Sequence, residues 1–163
     1  DNVDELRIMA YDYIGTGSRY AGTIAPLEWV EYVLKYAILL GVPRAKIVLG
    51  IQNYSYVWTE RELLPAIDFL NTDSFYTYSY DFGNNALSYN YEDVEYTLSN
   101  YSVNVSFNEF WGEKIARFTK DGIPRIMVYL GNDEIALRKK LAADYGVKGV
   151  SYWRLGENGN LQM

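Results

Sequence analysis

The sequence predicts an α/β fold with a parallel sheet, interrupted by a smaller α+β segment. Three short apolar strands carry that prediction, over residues 6–11, 46–51 and 149–154. Each delivers an aromatic side chain at or just past its carboxyl end: Tyr11, Tyr54 and Trp153. In parallel α/β folds that end of the strands is where ligands bind. Helical patterns precede the second and third strands, as strand–helix–strand crossovers require.

Taken in order, the first strand closes in Met9-Ala10-Tyr11-Asp12. A Gly-rich loop follows, with Gly15 and Gly17 as a lone GxG that does not open a helix, so it does not by itself mark a phosphate site. Pro26 stands where a first helical turn begins. From there Trp29, Val30, Val33, Leu34, Ala37 and Ile38 recur at helical spacing, and Gly41 ends the helix. Strand 46–51 then runs into Gln52-Asn53-Tyr54. Near the other terminus Asn132 is expected to cap a helix whose first turn holds Asp133 and Glu134, where negative charge suits the dipole. Ile135, Leu137, Leu141, Ala142 and Tyr145 give that helix its apolar positions, and Gly146 stops it before strand 149–154.

The middle of the chain breaks this rhythm. A helix is expected over 60–70, an alternating strand over 75–80, a short helix over 88–100 and a strand over 103–107. Segments 114–119 and 123–129 flank Lys120-Asp121-Gly122, a hairpin signal. The expected division is therefore an α/β part, 1–58 and 131–163, around an α+β insertion, 59–130.

Composition narrows the chemistry. The chain has 163 residues, 49% of them apolar, enough for a substantial core. It has no Cys and no His, which excludes disulfides, thiolate catalysis, Ser-His-Asp catalysis and the usual zinc sites. Acid–base chemistry would fall to carboxylates, Tyr or Lys. A net charge of −6 argues against nucleic acid as a partner, and no apolar run is long enough for a membrane span. No cofactor or metal is expected. The outlier is the aromatic fraction, 17%, with 17 Tyr and 4 Trp. Tyr and Trp pair a flat apolar face with a polar edge, which suits sugar rings, although most of these Tyr side chains would serve simply to fill half-buried sheet positions.

Taken together, these segments resemble glycoside hydrolase family 18, in particular its spore-cortex and germination branch of peptidoglycan N-acetylglucosaminidases. Met9-Ala10-Tyr11-Asp12 is similar to the family's MxYD motif on barrel strand six. The stretch from Pro26-Leu27-Glu28-Trp29-Val30 through Lys46-Ile47-Val48-Leu49-Gly50-Ile51 resembles its helix six and strand seven. Ala86-Leu87-Ser88-Tyr89-Asn90 resembles its insertion domain, and Gly149-Val150-Ser151-Tyr152-Trp153-Arg154-Leu155-Gly156 its strand eight. The resemblance implies the carboxyl-terminal part of a (β/α)8 TIM barrel, strands six to eight, carrying an α+β insertion domain. Gln52 and Ser55 depart from the Pro and Gly often found around strand seven in this branch. The family's acidic motif DxxDxDxE, whose Glu protonates the glycosidic oxygen, does not occur in these residues. The expectation is a half-barrel without its catalytic acid, inactive in isolation.

The resemblance further implies substrate-assisted retaining hydrolysis of β-1,4-linked N-acetylglucosamine polymers, peptidoglycan or chitin, with the substrate's acetamido group as nucleophile. Tyr11 would donate a hydrogen bond to that acetamido group, and Asp12 would bind a sugar hydroxyl or orient neighbouring polar groups. Trp153 would form the floor under the sugar, Tyr54 the wall beside it, and Met9 would contribute to the substrate-binding surface. Arg154 and Glu157, beyond strand eight, are either polar site residues or a local salt bridge. Tyr76, Tyr78, Tyr80 and Trp111 are candidates for a longer glycan groove, with sheet packing the simpler role. The expected setting is extracytoplasmic, at a bacterial cell wall or spore. The expected partners are an N-acetylglucosamine glycan and either the amino-terminal barrel half or a second copy. The competing reading is a glycan-binding or self-associating module without catalysis.

Overall fold

The computed structural model describes residues 3–18, 21–59 and 86–163. Two sheets organise them. The first is parallel, in the order β1 (Leu6–Ile8), β2 (Ile47–Gln52), β8 (Gly149–Trp153). The second is antiparallel, in the order β4 (Leu87–Tyr89), β3 (Ser55–Thr59), β7 (Ile123–Tyr129), β6 (Glu113–Lys120), β5 (Asn104–Asn108). Three helices accompany them: α1 (Leu27–Leu39), α2 (Tyr91–Asn100) and α3 (Asn132–Asp144).

The parallel sheet is the strand trio expected from the sequence, with differences at the strand ends. Only Leu6–Ile8 of segment 6–11 pairs with β2, because the Ala10 amide turns back to the Ile8 carbonyl at 3.1 Å and ends the ladder. Met9, Ala10 and Tyr11 therefore leave the strand before Asp12. Lys46 belongs to a 3-10 turn, Arg44–Lys46, instead of the strand. β2 is buried along its whole length, as a central parallel strand covered on both faces should be. Leu49 packs with Val30, Ala25 and Ala142, and Ile47 with Leu34 and Ala37, so α1 and α3 cover this layer. Ile51 meets Leu130, Ile135 and Leu161.

Gly50 is where two backbones come closest. A Cβ there would lie 2.7 Å from the Ile8 carbonyl oxygen and 3.2 Å from the Tyr11 ring. Only glycine lets β1 and Tyr11 approach this near.

The antiparallel sheet differs from expectation in two places. Ser55–Thr59, assigned to no element from the sequence, is the strand β3 between β4 and β7. Residues 88–100, expected to be one helix, divide into β4 and α2. Asn90 forces that division by capping α2: its side chain accepts from the Asp93 amide at 2.8 Å, while the Asp93 carboxylate accepts from the Asn90 amide at 3.2 Å. The reciprocal pair is a capping box. The β6–β7 hairpin matches its sequence signal. Lys120 faces Ile123 across Asp121-Gly122, whose φ values of 55° and 74° are those of a primed two-residue turn. The expected helix over 60–70 and strand over 75–80 lie outside the described residues.

One face of this sheet packs Trp58, Trp111, Ile115 and Ile126 against Ile14 and Ile24 of the loop that follows β1. The other packs Val57, Ala116 and Met127 beneath Val94 of α2. At the junction of the layers, α3 is capped one residue earlier than expected. Gly131 takes the cap position, and its amide donates to the Glu134 carboxylate at 2.8 Å. Asn132 instead accepts from the Gln162 amide at 2.8 Å.

Candidate active site

The carboxyl ends of β1, β2 and β8 converge on an open cavity of about 320 Å³. Asp12, Tyr54, Tyr56, Trp153, Arg154 and Glu157 line it, with Ser88, Asn90 and Asp93 supplying a wall from β4 and α2.

Asp12 sits in left-handed backbone, at φ 61°, a conformation that Asp tolerates because its short side chain bonds locally. One carboxylate oxygen, Oδ1, accepts two phenolic hydrogen bonds. The Tyr54 hydroxyl donates one and the Tyr56 hydroxyl the other, the latter at 2.7 Å. Both phenols are pushed well above the ordinary tyrosine range, first by burial and then by the adjacent Asp12 carboxylate, which favours the protonated donor. They therefore remain donors at and above the ordinary tyrosine value. A carboxylate offers about four acceptor sites, so Asp12 keeps capacity for a hydroxyl of a ligand.

Trp153 ends β8 opposite Gln52 of β2. Its carbonyl accepts from the Asn53 amide at 3.0 Å, and the Asn53 side chain donates to the Arg154 carbonyl at 2.6 Å. The backbone of Trp153 is thus tied to β2 while its side chain stays 54% exposed. A half-exposed indole in a polar cavity is a flat apolar platform, suited to stacking against a sugar ring. Arg154 and Glu157 form a local ion pair, with Arg154 Nε donating to Glu157 at 2.9 Å, and they also line the cavity.

Among the five residues singled out from the sequence, Asp12, Tyr54 and Trp153 share this cavity. Tyr11 stands behind it, its ring edge-on to Tyr54 at 6.1 Å, with its hydroxyl pKa raised mainly by partial burial. Met9 is 68% exposed and is not among the lining residues. Trp111 is fully buried and packs in the sheet core, away from the cavity. Tyr76, Tyr78 and Tyr80 lie outside the described residues. Tyr56 was not singled out, although its signal was present. On a strand, residue i+2 shares the face of residue i, so Tyr54-Ser55-Tyr56 places both phenols together. Among the described residues no group of three or more acidic side chains could hold a metal ion.

The sequence profile of glycosyl hydrolases family 18 matches residues 1–158. The chain belongs to that family. Solved structures agree on the fold of this family 18 chain. The spore cortex-lytic enzyme SleL of Bacillus cereus is 22% identical, superposes with a TM-score of 0.75, and is matched over 95% of this chain and 32% of its own. A chitinase from Chromobacterium violaceum is 23% identical, with a TM-score of 0.74 and coverage of 96% and 42%. A plant class V chitinase mutant from Cycas revoluta, solved in complex with (GlcNAc)3, is 20% identical, with a TM-score of 0.72 and coverage of 96% and 43%. This family 18 chain spans less than half the length of each of these proteins. No curated protein sequence matches it.

Proposed function

We propose that this chain forms the sugar-holding half of a family 18 hydrolase of β-1,4-linked N-acetylglucosamine polymers, peptidoglycan or chitin. The observation that carries the reading is the shared cavity, in which an Asp12 carboxylate braced by Tyr54 and Tyr56 faces the half-exposed Trp153 indole. Polar acceptors beside an aromatic platform suit a pyranose, whose rim carries hydroxyls and whose faces are apolar. In this reading β1, β2 and β8 are strands six to eight of the barrel, and the antiparallel sheet is the insertion. The outer edges of β1 and β8 have no strand partner among the described residues, which suits a sheet continued by further strands.

The reaction would be substrate-assisted. The acetamido oxygen attacks the anomeric carbon, the glycosidic bond breaks, and a general acid protonates the leaving oxygen; water then opens the cyclic intermediate with net retention. Tyr11 would hydrogen-bond the acetamido group as charge develops on it, and Asp12 would bind or orient at the same ring. Trp153 would be the floor and Tyr54 the wall, with the exposed Met9 contributing from outside the lining. The general acid would come from a DxxDxDxE segment of a barrel half outside these residues, and the setting would be a bacterial cell wall or spore. Isothermal calorimetry of the chain with the tetramers of N-acetylglucosamine and of glucose tests this. Saturable heat with the first and none with the second is expected. Equal heats, or none with either, would defeat the reading.

A further inference from the structure

One buried carboxylate is bonded to two segments that adjoin cavity-lining residues, without touching the lining itself. Glu113 opens β6 and is wholly inaccessible. Its Oε2 accepts from the Thr23 hydroxyl at 2.5 Å and the Ile24 amide at 3.1 Å, and its Oε1 from the Ala25 amide at 2.9 Å and the Gln52 side-chain amide at 3.2 Å. Arg138, equally buried, supplies the countercharge at 3.8 Å.

The donors lie on two segments, each leading to a different lining residue. Thr23 and Ile24 accept backbone bonds from Ile14 at 3.1 Å and Tyr13 at 2.8 Å, and Tyr13 directly follows Asp12. Gln52 ends β2, two residues before Tyr54. We propose that Glu113 is a positioning residue of this cavity, setting where Asp12 stands relative to Tyr54 and Tyr56. The proposal rests on the carbohydrate reading above for its functional meaning. Four donors occupy about all the acceptor sites that a carboxylate has, so its orientation is fixed and it ties its donors rigidly. Asp12 depends on that tie, because its left-handed backbone leads straight into the Tyr13–Ile14 bridge. A neutral amide at this position would turn an NH2 group towards donors.

The test uses the chain as wild type, Glu113→Gln, Thr23→Val and Leu34→Ala. Leu34 is buried between α1 and β2, so its truncation lowers stability without touching the cavity. The readouts are the ring NMR signals of Tyr54 and Tyr56 and the affinity for the N-acetylglucosamine tetramer. In Glu113→Gln and Thr23→Val both ring signals should move, and affinity should fall about tenfold or more. In Leu34→Ala neither should change. Thr23→Val removes one hydroxyl and decides the matter if Glu113→Gln does not fold. Ring signals in Thr23→Val that match wild type overturn the proposal. A wild type that binds no oligosaccharide defeats the carbohydrate reading, while the ring signals still decide whether Glu113 positions the two segments.

Discussion

Replacing Arg138 by Leu should be among the most damaging single changes outside the cavity. Its side chain is 1% exposed and donates to the Gly112 carbonyl at 2.9 Å, the Ala25 carbonyl at 2.6 Å and the Glu134 carbonyl at 3.1 Å. Leucine fills much of the same space, so the cavity cost is small and the electrostatic cost dominates. The change strands the Glu113 carboxylate without a countercharge and leaves the Gly112 and Ala25 carbonyls short of a donor. Breaking a buried pair by removing one partner costs about 3–5 kcal/mol. At about 2–4 °C per kcal/mol for a domain of this size, the melting temperature should drop by about 6–20 °C. The loss should also carry a pH signature. Burial holds the Glu113 carboxyl above its ordinary 4.5, against the pull of Arg138 and its hydrogen-bond donors. Removing Arg138 raises it further, so the folded state binds the proton more tightly than the unfolded chain does. Stability then falls as pH rises from the ordinary Glu value, and the variant's deficit shrinks on acidification from about pH 7 to about pH 5. Thermal melts followed by circular dichroism at both pH values measure this. A loss under about 3 °C, or a deficit that does not change with pH, would refute the reasoning.

Three further outcomes follow from the geometry. Gly50→Ala forces a methyl to 2.7 Å from the Ile8 carbonyl and should cost about 1–3 kcal/mol in urea denaturation; an unchanged midpoint would show that β1 yields freely. Tyr54 and Tyr56 should stay protonated well above the ordinary 10.0 in an ultraviolet titration. Because their folded values are raised, the folded state holds protons that the unfolded chain releases, and stability should fall as pH climbs past that value. Phenylalanine at both positions should remove two late-titrating phenols, and loss of two ordinary ones instead would contradict the Asp12 clamp. Asn90→Ala removes the cap of α2 and should cost about 1 kcal/mol in a thermal melt, with no loss expected if the bond to the Asp93 amide contributes nothing.

Much of this architecture was legible because it rests on local rules. The three parallel strands announced themselves as apolar runs, and Asp121-Gly122 specified its turn through φ preferences alone. What escaped depended on partners far along the chain. Ser55–Thr59 is a short segment whose place in a sheet depends on β4 and β7 flanking it. The helix expected over 88–100 lost its first residues because Leu87–Tyr89 found β3, and because Asn90 caps more strongly than it propagates a helix. At the site, the strand-end aromatics and the MxYD segment were visible as motifs, and Tyr56 was recoverable from strand periodicity. Glu113 was not. Its donors come from Thr23, Ile24, Ala25 and Gln52, and no spacing in the sequence brings those together.

The most direct test of the central claim is a tryptophan-fluorescence titration of wild type and Trp153→Ala with the N-acetylglucosamine tetramer. Trp58 and Trp111 are buried, and the half-buried Trp29 packs against Tyr13 and does not line the cavity, so a ligand-dependent change should come chiefly from the half-exposed Trp153. Wild type should show a saturable change. Trp153→Ala should lose it, and a parallel calorimetric titration should show affinity reduced by about tenfold or more, as removal of about 1.4 kcal/mol or more of stacking requires. Equal calorimetric affinity in both proteins would contradict the account, because the sugar would then rest somewhere other than on Trp153.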